Sequence, residues 1–465
     1  MNAKATHTDV PDGLPVGTRL ALDAATVVRD ARTLVGGVPR RVLRLSASGE
    51  RAWQELCAGT VRTPAGSVLA RRLTDAGLAH PRPGLPVPLD VTVVIPVHDR
   101  VQLLDRCLTA LGGAYPILVV DDGSRDEASI AAVGWRHGAQ VQRRNHNGGP
   151  GAARNTGLAA VSTEFVAFLD SDCVPGPGWI EALAGYFADP AVAVVAPRVR
   201  PAGTSASTGT SAPVRSPLDL GPDRARVVPG GRVGYVPTAA LVVRRSALDS
   251  VDAAFDSTLR YGEDVDLVWR LHAAGWRIRY EPAVVVGHVE PESRRRLLAR
   301  RFHYGTSAAP LALRHPAPLV PLTVEPATAL TVALVAAGRP RLAAGTAAVA
   351  LHRAADALHA AGLPRREAPA LLARQLLGTW RMLGRYLAQA GAPLAAMAAL
   401  AGGRRTRLAV GVLLAGSLDR PADAGAQLAD HAAYGAGVWA GCVRHGTLHP
   451  VLPRVSISRN PRGRS

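Results

Sequence analysis

The sequence predicts an α/β fold whose central sheet lies in the first two thirds of the chain. Short apolar runs at 91–96, 117–120 and 165–169 are typical of strands that are buried on both faces. A helical pattern over 101–111 separates the first two runs, and strand, helix, strand at this spacing predicts a βαβ unit. Acidic side chains directly follow the second and third runs, and ligands of such sheets bind beyond the carboxyl ends of the strands.

Length and charge limit the possible classes of function. A chain of 465 residues has room for two or three domains. Its formal net charge of +18 favours anionic partners, which include nucleic acids, anionic lipids and sugar nucleotides. The sequence has no helix-turn-helix signature, no zinc-ligand spacing and no basic segments interleaved with aromatic residues. A nucleic-acid binder is therefore the weakest alternative, and we predict no nucleic-acid partner.

Cysteine usage and the N-terminus bear on the cellular compartment. The four cysteines, Cys57, Cys107, Cys173 and Cys442, are scattered and form no pair at metal or redox spacing. This usage suits a reducing compartment. No basic segment followed by an apolar run stands at the N-terminus, so the sequence predicts a cytoplasmic protein.

Residues 1–88 are predicted to form a small winged-helix-like module and a linker. Three short strands and two helices are expected at 20–22, 27–28, 41–45, 46–58 and 67–76. Ser46 or Ser48 would cap the first of these helices. Proline and glycine predict a linker at 80–89.

The same segment resembles the peptide-binding domains of the PqqD type. The resemblance rests on residues 41–46, Gly49 and residues 73–78. Domains of that type present ribosomal peptides to the enzymes that modify them. A small winged helix with a purely structural role is the alternative.

Polar side chains follow the first two strands of the predicted sheet. Pro96, His98 and Asp99 lie at the end of the first strand, and Asp121 and Asp122 lie at the end of the second. A glycine-rich loop then leads into a helix over 147–157, and its backbone amides could approach a diphosphate at the helix N-terminus. The alternative is a tight turn that serves only to pack the helix.

Two carboxylates separated by one small residue, Asp170 and Asp172, end the third strand. In a strand they would share a face, and a turn at the strand end would also let both reach one point. Such a pair suits a hard cation such as Mg²⁺ or Mn²⁺, which prefers oxygen ligands. Triplets of this kind also occur in solvated turns and helix caps.

Two later segments carry further candidate residues. A predicted helix begins with Glu263, Asp264 and Asp266, and acids in a first turn are favourable for the helix dipole alone. His288 follows another apolar strand, where it would be either a third metal contact or a structural histidine.

Taken in order, these motifs resemble the family 2 glycosyltransferases of the GT-A fold. The resemblance rests on residues 93–96, 120–124, 170–172 and 262–264. It implies a domain over 89–316 with a Rossmann-like mixed sheet that binds a nucleotide-diphospho-sugar. It also implies inversion at the anomeric carbon, so that an α-linked donor gives a β-linked product.

The resemblance implies a role for each matching residue. Pro96 and His98 would line the uridine pocket beside Asp99, while Asp122 would recognise the uracil edge with support from Asp121. Arg154 would meet the nucleotide. Asp170 and Asp172 would bind Mg²⁺ or Mn²⁺, with His288 as a further metal contact. Asp264 would be the general base that takes the proton of the acceptor hydroxyl.

The last third of the chain, 317–465, is predicted to be helical. The apolar stretch 319–337 is nearly long enough to span a bilayer but is interrupted by Pro321, Glu325 and Pro326. Arginines flank the apolar stretches, so two interpretations remain: helices that lie on the anionic inner face of the cell membrane, or a plain helical bundle.

Before this region, an arginine-rich helix is predicted at 292–303. It would contact the diphosphate or the acceptor, or else be a solvated basic face.

The whole chain resembles the mycofactocin biosynthesis glycosyltransferases. The resemblance rests on the order of the two N-terminal units and on residues 301–312. Members of that family add β-linked glucose to a peptide-derived redox cofactor, which implies UDP-glucose or a related donor and a peptide-derived acceptor. A transferase for cell-envelope polysaccharide or glycolipid, and a peptide-binding scaffold with a decayed catalytic domain, are the alternatives.

Overall fold

The computed structural model describes residues 12–38, 40–82, 84, 88–202, 216–291, 293–317, 319 and 322–455. The chain divides into two compact units, residues 1–290 and 291–465. The division into domains at 88/89 and 316/317 stays a prediction. Residues 203–215 lie outside the described residues, as does most of the predicted linker beyond Arg82.

The described residues of the N-terminal part of the first unit form two small sheets and two helices. Its elements are β1 (Arg19–Leu22), β2 (Val27–Asp30), β3 (Thr33–Gly36), β4 (Arg41–Arg44), α1 (Ala47–Cys57), α2 (Pro64–Asp75) and β5 (Ala79–Arg82). Strands β2, β3 and β4 form an antiparallel sheet, and β1 pairs with β5. Leu34, Trp53 and Leu73 lie in their common core. That this part is a winged helix that binds peptides stays a prediction.

Capping explains where the two helices begin. The Ser46 side chain accepts a hydrogen bond from the Gly49 amide at 3.2 Å, which confirms the predicted cap of α1. Helix α2 begins at Pro64, three residues before the predicted start, because the Thr63 hydroxyl accepts from the Gly66 amide at 3.1 Å.

Part of the expected linker is instead a strand. Residues 79–82 form β5, which runs antiparallel to β1 with Ala21 opposite His80. The His80 Nε2 atom lies 2.8 Å from the Asp23 carboxylate. A partner strand distant in the sequence thus overrides the local tendency of proline to break a strand, because a strand of a two-stranded sheet has an unpaired edge that tolerates it.

The rest of the first unit is built on a nine-stranded mixed sheet. Its elements are β6 (Val91–Val97), α3 (Val101–Leu111), β7 (Ile117–Asp121), α4 (Glu127–Arg136), β8 (Gln140–Arg143), α5 (Pro150–Ala160), β9 (Phe165–Leu169), β10 (Cys173–Pro175), α6 (Trp179–Ala184), β11 (Val192–Pro201), β12 (Ala225–Val227), β13 (Ala240–Arg244), α7 (Arg245–Asp249), α8 (Glu263–Ala273) and β14 (Arg277–His288). The strand order is β10-β14-β11-β13-β9-β6-β7-β8, with β12 paired to β14.

Strand direction determines which residues meet. Strands β9, β6, β7 and β8 are mutually parallel, so their carboxyl ends share one edge of the sheet. Strand β13 enters antiparallel between β9 and β11. The strands predicted at 91–96, 117–120 and 165–169 and the helix predicted at 101–111 are confirmed.

Close packing holds α5 against this sheet. A Cβ atom added to Gly157 would lie 2.4 Å from Val94 Cγ1, so only glycine lets the helix approach β6 this closely. The approach places the first turn of α5 at the carboxyl edge of the sheet, where the candidate site lies.

The second unit is predominantly helical. Its elements are α9 (Arg294–Thr306), α10 (Ala308–Arg314), β15 (Thr323–Val324), α11 (Pro326–Ala336), α12 (Pro340–Ala360), α13 (Ala368–Ala388), α14 (Ala392–Ala401), α15 (Arg404–Ala415), α16 (Ala424–His445) and β16 (Arg454–Val455). The arginine-rich and C-terminal helices are thereby confirmed. Among the described residues, none of the helices combines the length and the apolar character needed to cross a bilayer.

Candidate functional site

Asp122 organises the loops at the carboxyl edge of the sheet. Its carboxylate is buried and accepts hydrogen bonds from the Gly148 and Gly149 amides at 3.0 and 2.8 Å. It also forms an ion pair with Arg144. Gly149 has a φ of +87°, a conformation that favours glycine, so the residue type allows the loop to turn its amide onto Asp122.

The other predicted nucleotide-binding residues cluster around Asp122. Pro96 pairs with Val120 in the parallel ladder of β6 and β7. The His98 Nδ1 atom lies 3.0 Å from the Asp122 carbonyl oxygen. The buried Asp121 carboxylate accepts from the Ser124 amide at 2.9 Å and pairs with Arg143.

Asp99 lies just beyond the carboxyl end of β6, at the same edge of the sheet. Its φ is +55°, an uncommon value for a residue with a side chain, and its amide donates to the Ser124 hydroxyl at 2.9 Å. Its carboxylate accepts two hydrogen bonds from Arg125, both at 2.8 Å. The bond from the Arg125 amide is the main reason that the pKa of Asp99 lies below its ordinary value.

Asp170 and Asp172 lie in the turn that joins β9 to β10. The Asp170 carbonyl accepts from the Cys173 amide at 2.9 Å, so the chain turns here as the second of the two expected geometries requires. Asp172 forms an ion pair with Arg100, and its Oδ1 atom lies 3.4 Å from His288 Nε2. His288 Nδ1 in turn lies 3.3 Å from Glu290.

Arg154 joins the first turn of α8 to this region. Its buried guanidinium donates to Asp170 at 2.6 Å and to Glu263 at 2.9 Å. It also lies 5.6 Å from the centre of the Phe255 ring. The predicted contact of Arg154 with the nucleotide therefore stays a prediction, while its contact with two carboxylates is observed.

Two acids in the first turn of α8, Glu263 and Asp264, have raised pKa values. Burial raises the pKa of Asp264, and the charge of Asp170 adds to this, while the Val265 amide and Arg154 oppose it. Burial and the charge of Asp264 raise the pKa of Glu263 to about 7. A carboxylate whose pKa lies near neutrality is suited to take up a proton.

The glycine-rich loop and α5 connect the two halves of the site. Gly149 binds Asp122, a Cβ atom on Gly151 would lie 3.4 Å from Glu263 Cγ, and Arg154 reaches Asp170. One continuous segment, residues 148–154, therefore contacts Asp122, the Asp170–Asp172 turn and the first turn of α8. Asp122 is the predicted uracil-binding residue, and α8 carries the predicted base. The roles assigned to them remain proposals.

Arg100 and Arg144 were not identified from the sequence alone, and neither was the pairing of the candidate Glu263 with Arg154. Arg100 and Arg144 pair with Asp172 and Asp122, and Glu263 pairs with Arg154. Arg144 directly follows β8 and could have been found by the rule that placed Asp122 at a strand end. The other two pairs had no local signal.

The donor atoms suit a divalent cation. Asp170 and Asp172 supply carboxylate oxygens, His288 supplies an imidazole, and guanidinium groups already contact both carboxylates. Within the part of the chain that the structure describes, no three His, Cys, Asp or Glu side chains are gathered closely enough to hold a metal ion by themselves. Part of the coordination would therefore come from phosphate oxygens and water, as is usual for Mg²⁺.

Comparison with known proteins identifies the family. The model of glycosyl transferase family 2 matches residues 92–251. A pre-mycofactocin glycosyltransferase of Mycobacterium tuberculosis (strain ATCC 25618 / H37Rv) is 40% identical over 482 residues, which cover 97% of this chain and 99% of that protein. This chain belongs to the pre-mycofactocin glycosyltransferase family. It is therefore a family 2 glycosyltransferase with the predicted GT-A fold.

Other relatives cover less of the chain or are more distant. The succinoglycan biosynthesis protein ExoU of Rhizobium meliloti (strain 1021) is 29% identical over 208 residues, 41% of this chain and 59% of that protein. The mannosyltransferase PcManGT from Pyrobaculum calidifontis, solved in complex with GDP-Man and Mn²⁺, is 19% identical with a TM-score of 0.40, covering 72% of this chain and 88% of that one.

Proposed function

We propose that the enzyme transfers glucose from UDP-glucose, or from a related nucleotide sugar, to the peptide-derived compound pre-mycofactocin and builds a β-linked oligosaccharide. The observation that carries the proposal is the match along 97% of the chain to a pre-mycofactocin glycosyltransferase. The geometry of the site adds support, because one loop and helix connect Asp122, Asp170 and the first turn of α8.

The nucleotide would bind at the edge formed by β6 and β7. Asp122 is held by two loop amides and Arg144, so its carboxylate has a defined orientation. In this proposal it recognises the uracil edge. Pro96 and His98 would line the ring, and Asp99 and Asp121 would hold the loops in place through Ser124. The several arginines here would also attract an anionic donor.

Asp170, Asp172 and His288 would hold Mg²⁺ or Mn²⁺ together with the donor diphosphate. A divalent cation, when bound, would offset the negative charge that develops on the departing diphosphate. Because Arg100 and Arg154 contact these carboxylates, the cation would compete with the two guanidinium groups for the same oxygens.

Asp264 would act as the general base. The acceptor hydroxyl oxygen forms a bond to the anomeric carbon as the bond from that carbon to the diphosphate breaks, and Asp264 takes the hydroxyl proton. Attack from the side opposite to the leaving group inverts the configuration, which gives the β-linkage. The N-terminal part, 12–82, would hold the peptide-derived acceptor beside this site.

Assaying the purified enzyme with a panel of nucleotide sugars tests this proposal. With pre-mycofactocin, Mn²⁺ or Mg²⁺ and UDP-glucose, we expect mass spectrometry to show products heavier by one or more hexose units. Mixtures that contain GDP-mannose or chelator should show much less product. Transfer to a lipid or polysaccharide acceptor in place of pre-mycofactocin would favour the cell-envelope alternative and contradict the proposal.

We also propose that the second unit lies on an anionic membrane surface through α14 and α15. Only Ala395 of the two helices is buried, and five large apolar side chains are exposed on them: Leu394, Met397, Leu400, Leu408 and Val412. Three exposed arginines, Arg404, Arg405 and Arg407, lie in the first turn of α15 beside this surface. Apolar side chains next to arginines match the acyl boundary and headgroups of an anionic bilayer.

Vesicle co-sedimentation tests the membrane proposal. The double variant Met397→Glu/Leu400→Glu should bind vesicles that contain anionic phospholipid at least about tenfold more weakly, because each substitution puts a charge in place of an apolar contact with the bilayer. The control variant Leu342→Glu changes an exposed leucine of α12 and should bind like the wild type. Equal binding of both variants, or no binding by the wild type, would rule out this surface.

A further inference from the structure

Arg279 is a fully buried arginine whose guanidinium group has no hydrogen-bond partner among the described residues. It lies in β14, where it pairs with Val195 of β11 and with Arg226 of β12, and its exposed fraction is 2%. None of its three guanidinium nitrogens finds an acceptor in the part of the chain that the structure describes. Buried charges in proteins are ordinarily paired, because removing a charge from water without a partner is costly.

The nearby carboxylates are already held by other arginines. Asp189 accepts two hydrogen bonds from Arg71 at 2.7 and 2.8 Å, and Asp75 accepts two from Arg277 at 2.8 and 3.1 Å. Their charges act on Arg279 but do not offset its burial, which lowers the pKa of Arg279 to about 10. At neutral pH the guanidinium therefore remains charged.

The junction between α2 and the central sheet has more positive than negative charge. Arg226 donates a hydrogen bond to the backbone carbonyl oxygen of Asp75 and not to its carboxylate. Arg226 and Arg279 are therefore two cations that lack a carboxylate partner among the described residues. Glu281 contacts Tyr186 and Arg224, and Asp23 contacts His80 and Arg232. The charge of Asp12 acts on Arg277.

A small cavity lies beside Arg226, the cross-strand neighbour of Arg279. It is lined by Arg226, Arg232, His80 and Asp23, and its volume is about 30 Å³. A cavity of that size holds one or two water molecules or one small ion. Water would supply hydrogen-bond acceptors but would leave the excess charge in place.

We propose that Arg226 and Arg279 bind one small inorganic anion, such as chloride or phosphate, at the junction between α2 and β14. The anion supplies a negative charge next to two guanidinium groups to which no carboxylate of the described residues is hydrogen-bonded. Since Arg71 and Asp75 belong to α2 while Arg277 and Arg279 belong to β14, the bound anion strengthens the attachment of the N-terminal part to the catalytic sheet. Nothing in the proposal depends on the identity of the sugar or the acceptor.

Thermal unfolding of the full chain in different sodium salts tests this site. Replacing sodium gluconate with sodium chloride, bromide or phosphate at matched ionic strength should raise the Tm of the wild type by about 2–4 °C. The rise should saturate as the anion concentration increases. Comparing the rise in Tm in phosphate with that in the halides shows which anion binds better. The variant Arg279→Met should lose this anion-specific rise, whereas the surface control Arg136→Met should keep it.

Two results would overturn the proposal. One is the absence of a saturable anion effect on the wild type, and the other is an equal effect on the wild type and on Arg279→Met. Should Arg279→Met fail to fold, wild-type crystals soaked in bromide provide an independent measurement. An anomalous peak within hydrogen-bond distance of Arg279 supports the site, and water alone at that position contradicts it.

Discussion

Replacing Asp264 with asparagine should reduce the turnover number by about 10²–10⁴-fold, which is the usual contribution of a general base. Asparagine is nearly isosteric and can still accept the hydrogen bond that the Val265 amide donates to Asp264 at 2.8 Å. The fold and the edge around Asp122 should therefore be unchanged. Single-turnover kinetics would measure the chemical step, and calorimetric titration with UDP and Mn²⁺ would measure nucleotide binding.

The control for this variant is Asp249→Asn, which changes an exposed aspartate at the end of α7. It should retain the turnover of the wild type. Near-normal turnover by Asp264→Asn would remove Asp264 from the mechanism. Loss of UDP binding in that variant would instead show that Asp264 acts on the donor and not on the acceptor hydroxyl.

Replacing Arg154 with methionine should lower both the stability and the activity near neutral pH. The substitution leaves Glu263 and Asp170 without their shared partner, and breaking a buried ion pair costs about 3–5 kcal/mol in free energy of unfolding. Arg154 also lowers the pKa of Glu263 and of Asp264, so its removal should raise both values. Because the base acts only when ionised, the acid limb of kcat/KM should move to higher pH.

The opposite shift is expected for Glu263→Gln. This variant keeps an acceptor for Arg154 but removes a negative charge beside Asp264, so the pKa of Asp264 should fall. The acid limb should then move to lower pH. The measurement is kcat/KM as a function of pH for the wild type, Arg154→Lys, Arg154→Met and Glu263→Gln. These profiles separate the shift in the pKa of the base from general destabilisation. Shifts in the same direction for Arg154→Met and Glu263→Gln would contradict this account.

Local pattern was sufficient for much of the fold. The apolar runs at 91–96, 117–120 and 165–169 predicted β6, β7 and β9, because a strand buried on both faces needs consecutive apolar side chains. Ser46 predicted the start of α1 through its own side-chain hydrogen bond. The rule that polar residues gather at the carboxyl ends of parallel strands also brought Asp121, Asp122 and Asp170 into consideration.

The tertiary structure decided what those residues contact. Arg154 and Glu263 are 109 residues apart, and Arg100 and Asp172 are 72 apart, so no local pattern could indicate that they pair. These pairs exist because β9 lies beside β6 in the sheet and because α5 packs closely against β6 at Gly157. The same holds for β5, whose strand depends on β1, and for Arg279, whose burial depends on α2. Hydrophobic periodicity and capping act over a few residues, whereas ion pairs and burial depend on the order in which strands assemble, and that order is a property of the whole chain.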